Sequence, residues 1–582
     1  MRIKKGEIFK TAKSGVGDME VDNKIWAVVA LISVLAVGAG VLMISSFTNP
    51  ESTESNIIHT NNQTTGNNYT NNNSSNILPS FIPFTYFNIL SNDYNQINPT
   101  TTTTPVPPEP APDIISLFDA YVKSTFPQTG IPGGAIVIVQ NDQIVYMNCL
   151  GVKDIASGAP VTPDTLFYIA SCSKAFTSTN IAQLVDQNLM SWDDPVITYY
   201  PKTEEFQLYD PTVTNTITIR DLLLHRSGLP NQCGDLNGML FNDSFSDIIY
   251  KFRYVENNTP FRSKWQYQTL MYALAGEYAA RANKTVWSDL IKEDLLEPLG
   301  MTTTTTTLND YLNSPDHTST YIRSANGTLM PYGPNGAEYD APSGNIASSI
   351  KEMANWLSFQ IADTGIYNGV QIVSKSNLDE TRRGQIYEDN TNILMYGFGW
   401  NIIPGISFDH AGSNGDGASI VAFYPTKGTG IVVLLNENNY GLAYAPALKQ
   451  KFQSLLVGDY NTDPWPVYRD LLGPKPNPPI PPIVDPQPLN FYTGLYNNAF
   501  YGNINITTDT NILTCYYGNN SGSHALKHWN GDVFEDPTIP GSLFNFTDYS
   551  GSNYQKVTVN VFIDYTETPN APAEFNLTNS IP

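Results

Sequence analysis

Hydrophobic and polar positions divide this chain into stretches of different texture. Residues Ile25 to Ser45 form a run of 21 residues without a charge, about the length that crosses ~30 Å of hydrocarbon as a helix. No polar face interrupts it, unlike a core helix, and 24 mostly polar residues precede it, unlike a cleaved signal peptide. The expectation is a retained signal anchor. Arg2, Lys4, Lys5, Lys10, Lys13 and Lys24 lie before the span, and no further Lys or Arg occurs until Lys123. Positive charge on that side puts residues 1–24 in the cytosol and the rest outside the cell or in a lumen. Residues 46–112 are rich in Asn, Thr, Ser and Pro without a core-forming pattern, the texture of a disordered stalk.

From Pro112 a folded pattern begins. Ile114, Leu117, Phe118, Tyr121 and Val122 recur at helical spacing behind Asp113, a capping residue. Residues 133–152 read as a hairpin turning at Asn141-Asp142, and 419–439 as a second hairpin followed by a helix over 443–456. Between them, about 160–400 reads as mostly helical with loops. Strands at both ends of a helical middle predict an α+β fold, an antiparallel sheet assembled from distant segments and covered by helices. Residues 461–484 are Pro-rich and read as a linker. From 485 onward, short alternating runs separated by turns predict a small all-β domain, sandwich or barrel.

Composition narrows the function classes. The 582 residues are 41 % hydrophobic, carry a net charge of −23 and include four cysteines. A sizeable core is available, a disulfide-dense scaffold is excluded, and an acidic chain repels nucleic acid. The acidity belongs to residues 113–582, which hold 25 basic and 46 acidic side chains. Such a domain does not cling to anionic lipid, so membrane association falls to the anchor. Sequons such as Asn62-Gln-Thr and Asn242-Asp-Ser would carry glycans in a eukaryotic host.

Three short motifs fall in order between 113 and 460. Ser171-Cys172-Ser173-Lys174 opens an amphipathic-looking helix reaching about Leu189, and positions i and i+3 share a face, so Ser171 and Lys174 can touch. A helix N-terminus disfavours protonated Lys174 and makes it a better base. Tyr267-Gln268-Thr269 precedes another helix; a phenol beside a lysine ammonium can lose its proton more readily and serve as base or proton shuttle. His410-Ala411-Gly412 borders the late hairpin, followed by Ser413. Glycine allows close approach to a ligand, an adjacent N–H can complete an oxyanion hole, and His410 offers a donor or positive charge. Taken singly, each motif has an ordinary structural explanation.

Together the three resemble the S-x-x-K, Y-x-N and K-T-G or H-x-G elements of the serine β-lactamase and penicillin-binding-protein superfamily, in its class C-like branch with family VIII esterases and D-aminopeptidases. IRDLLLHRSGLP, LLEPLGMTTT, APSGNIASS, YGFGW and HAGSNGDGASIVAFYP follow in that family's order. The tail, with YTGLYNNAFYG and LKHWNGDVFE, looks like the small β-barrel appended to some members. The resemblance implies an antiparallel sheet flanked by helices plus a helical lobe, with the site between them. It implies Ser171 as nucleophile, Lys174 as its base and Tyr267 as the group that protonates the leaving group and activates water. It also implies the N–H groups of Ser171 and Ser413 as oxyanion hole, and Thr269, His410, Ala411 and Gly412 as substrate-binding residues.

Two positions depart from the family pattern. Thr269 stands for the Asn of Y-x-N, and His410 for Lys, so a fixed cation becomes a titratable one. Both favour ester or D-peptide hydrolysis over β-lactam hydrolysis. Cys172 reads as a small packing residue, His225 as a structural turn, and His524 and His528 as barrel-surface histidines; a Cys149–Cys233 bond stays open. No metal or cofactor is expected, and the partner is a small-molecule or peptide substrate. The expected function is a membrane-anchored serine hydrolase. The alternatives are a non-catalytic binding or adhesion module on the same fold and, less so, a peptidoglycan carboxypeptidase or true β-lactamase.

Overall fold

Three strands with near-continuous apolar runs sit at the centre of the sheet. The structure is a computed structural model describing residues 112–472 and 483–578, apart from 325, 326, 337, 390, 510, 521, 540, 541 and 564–571. The expected cytosolic tail, membrane span and stalk lie outside the described residues. Among those described, no helix is long and apolar enough to cross a membrane.

Helix α1 (Ile114–Thr129) leads into β1 (Gly133–Gln140), β2 (Gln143–Asp154) and β3 (Ala159–Pro160). The helical region follows, with α2 (Ser173–Asp186), α3 (Asp235–Met239), α4 (Phe245–Lys251), α5 (Thr269–Asn283), α6 (Ala341–Gly344) and α7 (Ile350–Ala362) as the elements that matter for the site. The chain then returns through β4 (Ile386–Tyr387), β5 (Met395–Tyr396), β6 (Asn401–Ile403), β7 (Ser407–Ser413), β8 (Ala418–Tyr424) and β9 (Thr429–Leu435). It closes with α8 (Gly441–Leu456) and α9 (Trp465–Leu471). The nine strands form one antiparallel sheet in the order β4-β5-β6-β7-β8-β9-β1-β2-β3. Asn141 and Asp142 both take positive φ, 49° and 62°, in the β1–β2 turn anticipated from their identities.

Both faces of the sheet are covered, so its central strands are apolar at nearly every position. Ile136, Ile138, Ile420, Ala422, Ile431 and Val433 pack on one side against α1, α8 and α9. Ala135, Val137, Val421, Phe423, Val432 and Leu434 face the helical lobe through α7. The linker expected over 461–484 is corrected at its start. Residues 465–471 are helical, and Trp465 and Tyr468 are buried against Tyr444 and the first face of the sheet, because two aromatic rings outweigh the proline content. Helix α2 also differs from the amphipathic helix anticipated: residues 173–184 are buried on every side. All four cysteines are free thiols, so Cys149 and Cys233 are not bridged.

Residues 494–577 form a closed antiparallel barrel of eight strands, completed by pairing of Tyr496 with Leu577. Its interior is aromatic, with Tyr492, Tyr496, Phe534, Phe546 and Phe575 buried. His524 and His528 lie on one strand of it, bonded to Thr538 and to the Gly531 carbonyl.

Beneath the sheet, the Trp356 ring of α7 stacks on Phe176 of α2 with centroids 3.8 Å apart, joining the helix that follows Ser171 to the sheet's cover. Trp356→Ala is expected to lower unfolding free energy by about 3–5 kcal/mol, seen as an earlier denaturant midpoint at unchanged slope.

Candidate active site

Ser171 sits in a single 3₁₀ turn, Ala170–Cys172, that feeds directly into α2. Ala170 adopts φ +45°, a conformation costing an L-residue about 1–3 kcal/mol. Its neighbours hold it there. The Ile169 N–H bonds the Ile346 carbonyl at 2.9 Å, and the Cys172 N–H bonds the Ile169 carbonyl at 3.1 Å. The Cys172 thiol lies 3.1 Å from the His410 carbonyl and 3.2 Å from Ser419 Oγ, which itself donates to the Ile169 carbonyl at 2.7 Å. Cys172 thus packs as anticipated and also ties β7 to the turn. Gly412 lets β7 come this close, since a Cβ there would stand 2.2 Å from the Ile169 oxygen. The turn carrying Ser171 and the end of β7 carrying Ser413 are pinned together; the Ser413 hydroxyl turns aside to Asn438 Oδ1.

Lys174 is wholly buried. Its Nζ donates to Ser171 Oγ at 3.1 Å, as the i, i+3 spacing requires, and to the Ser343 carbonyl of α6 at 3.1 Å. The Tyr267 ring lies beneath the ammonium at 4.8 Å from its centroid. Burial lowers the Lys174 pKa to about 8, opposed by the charges of Asp340 and then Asp235. Desolvation is therefore the main cause, where the sequence suggested the helix end. Asp340 accepts from Ser343 Oγ at 2.8 Å, and burial pushes it up to about 6 against the pull of Lys174.

Tyr267 behaves otherwise than the sequence suggested. Burial raises its pKa, outweighing the Ser171 hydroxyl that lowers it, so the phenol stays protonated and is a proton donor in the resting site. Thr269 has a partner within the chain: its hydroxyl donates to Asp235 Oδ2 at 3.2 Å. Asp235 is raised by burial and then by Asp340, and Lys174 opposes the shift.

His410 is not the titratable cation expected. It is buried, its Nδ1 lies 2.6 Å from the Ala411 carbonyl, and its Nε2 lies 3.2 Å from the Tyr396 hydroxyl. That hydroxyl is also 3.2 Å from His225 Nε2, and His225 Nδ1 accepts the Gln268 N–H at 3.0 Å. The accepting Nδ1 makes His225 Nε2 the donor to Tyr396, which then donates to His410 Nε2. Both rings are neutral in this chain. Burial, then the Lys174 charge, lower His410 to about 4, and the same two causes lower His225. Ala411 differs too: its side chain packs on the opposite face of the sheet, leaving only its backbone at the site.

A cleft of about 710 Å³ lies farther out: Asn414, next to Ser413, and Tyr339, next to Asp340, line it, whereas Ser171, Lys174, Tyr267 and His410 do not. One wall is the α3–α4 segment from Gly238 to Phe245; the other carries Tyr332, Tyr339 and Asn414, the neighbour of Ser413. Sequence reasoning did not single out Asp235, Asp340, Ser343 or Tyr396. APSGNIASS and YGFGW flagged the stretches of Ser343 and Tyr396, but nothing local marks a carboxyl that acquires importance by facing a lysine distant in sequence.

The Beta-lactamase family profile matches residues 114–451, and a domain of unknown function, DUF3471, matches 478–568. Protein flp of Staphylococcus aureus (strain NCTC 8325 / PS 47) is 25 % identical over 341 residues, 58 % of this chain and 66 % of that protein. Unguisins hydrolase ungD' of Aspergillus campestris is 32 % identical over 253 residues, 41 % of this chain and 46 % of that protein. This chain thus aligns with less than two thirds of either relative's length. An octameric penicillin-binding protein homologue from Pyrococcus abyssi superposes with a TM-score of 0.52 at 20 % identity, covering 76 % of this chain and 98 % of its own, and so shares the fold.

The hydrogen-bonded histidines generate a direct test. In the full chain labelled with ¹⁵N-histidine, His410 should stay neutral with its proton on Nδ1 down to about pH 5, given its low pKa. Tyr396→Phe deletes the donor to Nε2 and should raise its titration midpoint by about one pH unit. An unmoved midpoint would remove Tyr396 from the network.

Proposed function

Because the chain belongs to the Beta-lactamase family over residues 114–451, we propose that it is a membrane-anchored serine hydrolase cleaving an ester or amide through an acyl-enzyme on Ser171. The observation that carries this is the 3.1 Å bond between a buried, pKa-lowered Lys174 and the Ser171 hydroxyl. Neutral Lys174 takes the Ser171 proton as Oγ attacks the carbonyl carbon. Negative charge on the carbonyl oxygen is met by the N–H groups of Ser171 and Ser413. As the intermediate collapses, the leaving group departs with a proton from Tyr267, which is replenished from Lys174. Water then attacks the acyl carbon, returning its proton through the same two groups and releasing Ser171. The protonated phenol suits the donor half of that cycle.

Neutral His410 leaves no fixed cation to pair with a substrate carboxylate. This favours esters or amides lacking a carboxylate beside the scissile bond over β-lactams and peptidoglycan termini. The relative named as a hydrolase agrees with the reaction class. The apolar run over 25–45 supports the anchor.

Fluorophosphonate labelling and p-nitrophenyl ester turnover by the full chain should vanish in Ser171→Ala; labelling that persists unchanged would sink the assignment and favour a binding module. Tyr267→Phe should slow deacylation more than acylation, so that acyl-enzyme accumulates after a burst. The pH dependence follows from Lys174. Protonated lysine cannot accept the seryl proton, so kcat/KM should rise about tenfold per pH unit below about pH 8 and level off above it. A profile flat between pH 6 and 8 would contradict neutral Lys174 as the base.

A further inference from the structure

We propose that the cleft lined by Asn414 and Tyr339 receives the far end of a substrate held at Ser171 and that the C-terminal barrel sets its shape, with Phe241 as the positioning residue through which it acts. The cleft wall formed by Gly238, Met239, Asn242, Asp243, Ser244 and Phe245 spans the α3–α4 connection. Helix α3 has five residues and α4 seven, too short to hold a conformation by their own hydrogen bonds. The segment is held by the barrel instead.

Phe241 is fully buried. Its ring enters the barrel among Tyr501, Tyr517, Phe562 and Phe575, with centroids 5.8, 5.6, 5.5 and 6.5 Å away. Its carbonyl accepts the Asn519 N–H at 3.0 Å, and the Leu240 carbonyl accepts Asn520 Nδ2 at 3.2 Å. At either end of the segment, Asn237 Nδ2 donates to the Phe500 carbonyl at 2.9 Å and Lys251 Nζ to the Tyr501 carbonyl at 3.4 Å. Asn237 and Lys251 both also bond Asp243, which lines the cleft. Barrel contacts therefore bracket the wall, while Phe241 itself stays out of the cleft lining. The segment begins at Asp235, the carboxyl that faces Lys174 and Thr269. The barrel adds no residue to the Ser171–Lys174 pair; it fixes the surface that a long substrate would lie against.

The inference uses the hydrolase reading only for its kinetic arm. In the full chain, Phe241→Ala should quicken amide hydrogen exchange over 235–245 while the barrel strands stay protected. It should raise KM for p-nitrophenyl octanoate about tenfold and change turnover of p-nitrophenyl acetate less than about twofold. Phe241→Leu, which keeps an apolar plug, should recover most of the difference. Unchanged exchange over 235–245, or equal losses on both esters, would overturn the proposal. If Phe241→Ala fails to fold, Asn520→Ala deletes one tether and should shift exchange and KM the same way by less; no shift there would overturn it equally. If the native chain turns over neither ester and takes no fluorophosphonate label, the hydrolase reading fails and the exchange result alone decides the role of the barrel.

Discussion

The centre of this molecule is organised by one requirement: an amine buried without water must find its partners within the protein. Lys174 sits on a helix buried on all sides, one turn from the serine it touches. Isolating such a group from solvent is costly unless it is paired, bonded or neutral. The structure uses all three routes. A carbonyl of α6 and the Ser171 hydroxyl accept from the amine, aromatic rings lie against it, and two carboxyls lie within electrostatic reach. Its pKa also falls toward neutrality. The same arrangement that makes Lys174 tolerable favours its neutral form, as the proposed base requires.

A second consequence appears across the site. With an amine already buried, further positive charge nearby is unfavourable, and both histidines are neutral in a chain whose donors and acceptors pair in one consistent sense from the Gln268 N–H to the Ala411 carbonyl. The polarity of the centre therefore comes from carboxyls. Asp235 and Asp340 are both raised by burial, Asp235 further by the charge of Asp340, and each is opposed by Lys174, so the proton inventory of the three groups is shared. Thr269 fits this picture: in place of an amide that could face a substrate, it offers one hydroxyl, and Asp235 takes it.

The architecture divides the work. The sheet and its two covers hold the turn carrying Ser171 and β7 in register, with Gly412 allowing contact that any side chain would prevent. The cleft wall, built from helices too short to stand alone, is held by the barrel through Phe241. Precision beside the serine and shape farther out thus rest on different parts of the chain.

Much of this was legible in the sequence where the information is local. β-branched runs on either side of Asn141-Asp142 marked the first hairpin and its turn, and the three-residue spacing put Ser171 against Lys174. The ordered motifs marked the family. Direction of charge was not legible. Tyr267 and His410 read as a readily ionised phenol and a titratable cation, because sequence lists neighbours without the dielectric around them, and burial overrides both. Ala411 faces away from the site because side chains alternate across a strand, and Trp465 and Tyr468 turn a proline-rich stretch into part of a core. The sequence by itself determined which groups can do chemistry and which segments fold. Only the tertiary structure decided their protonation and the shape of the cleft, since both depend on residues distant along the chain excluding water from the same small volume.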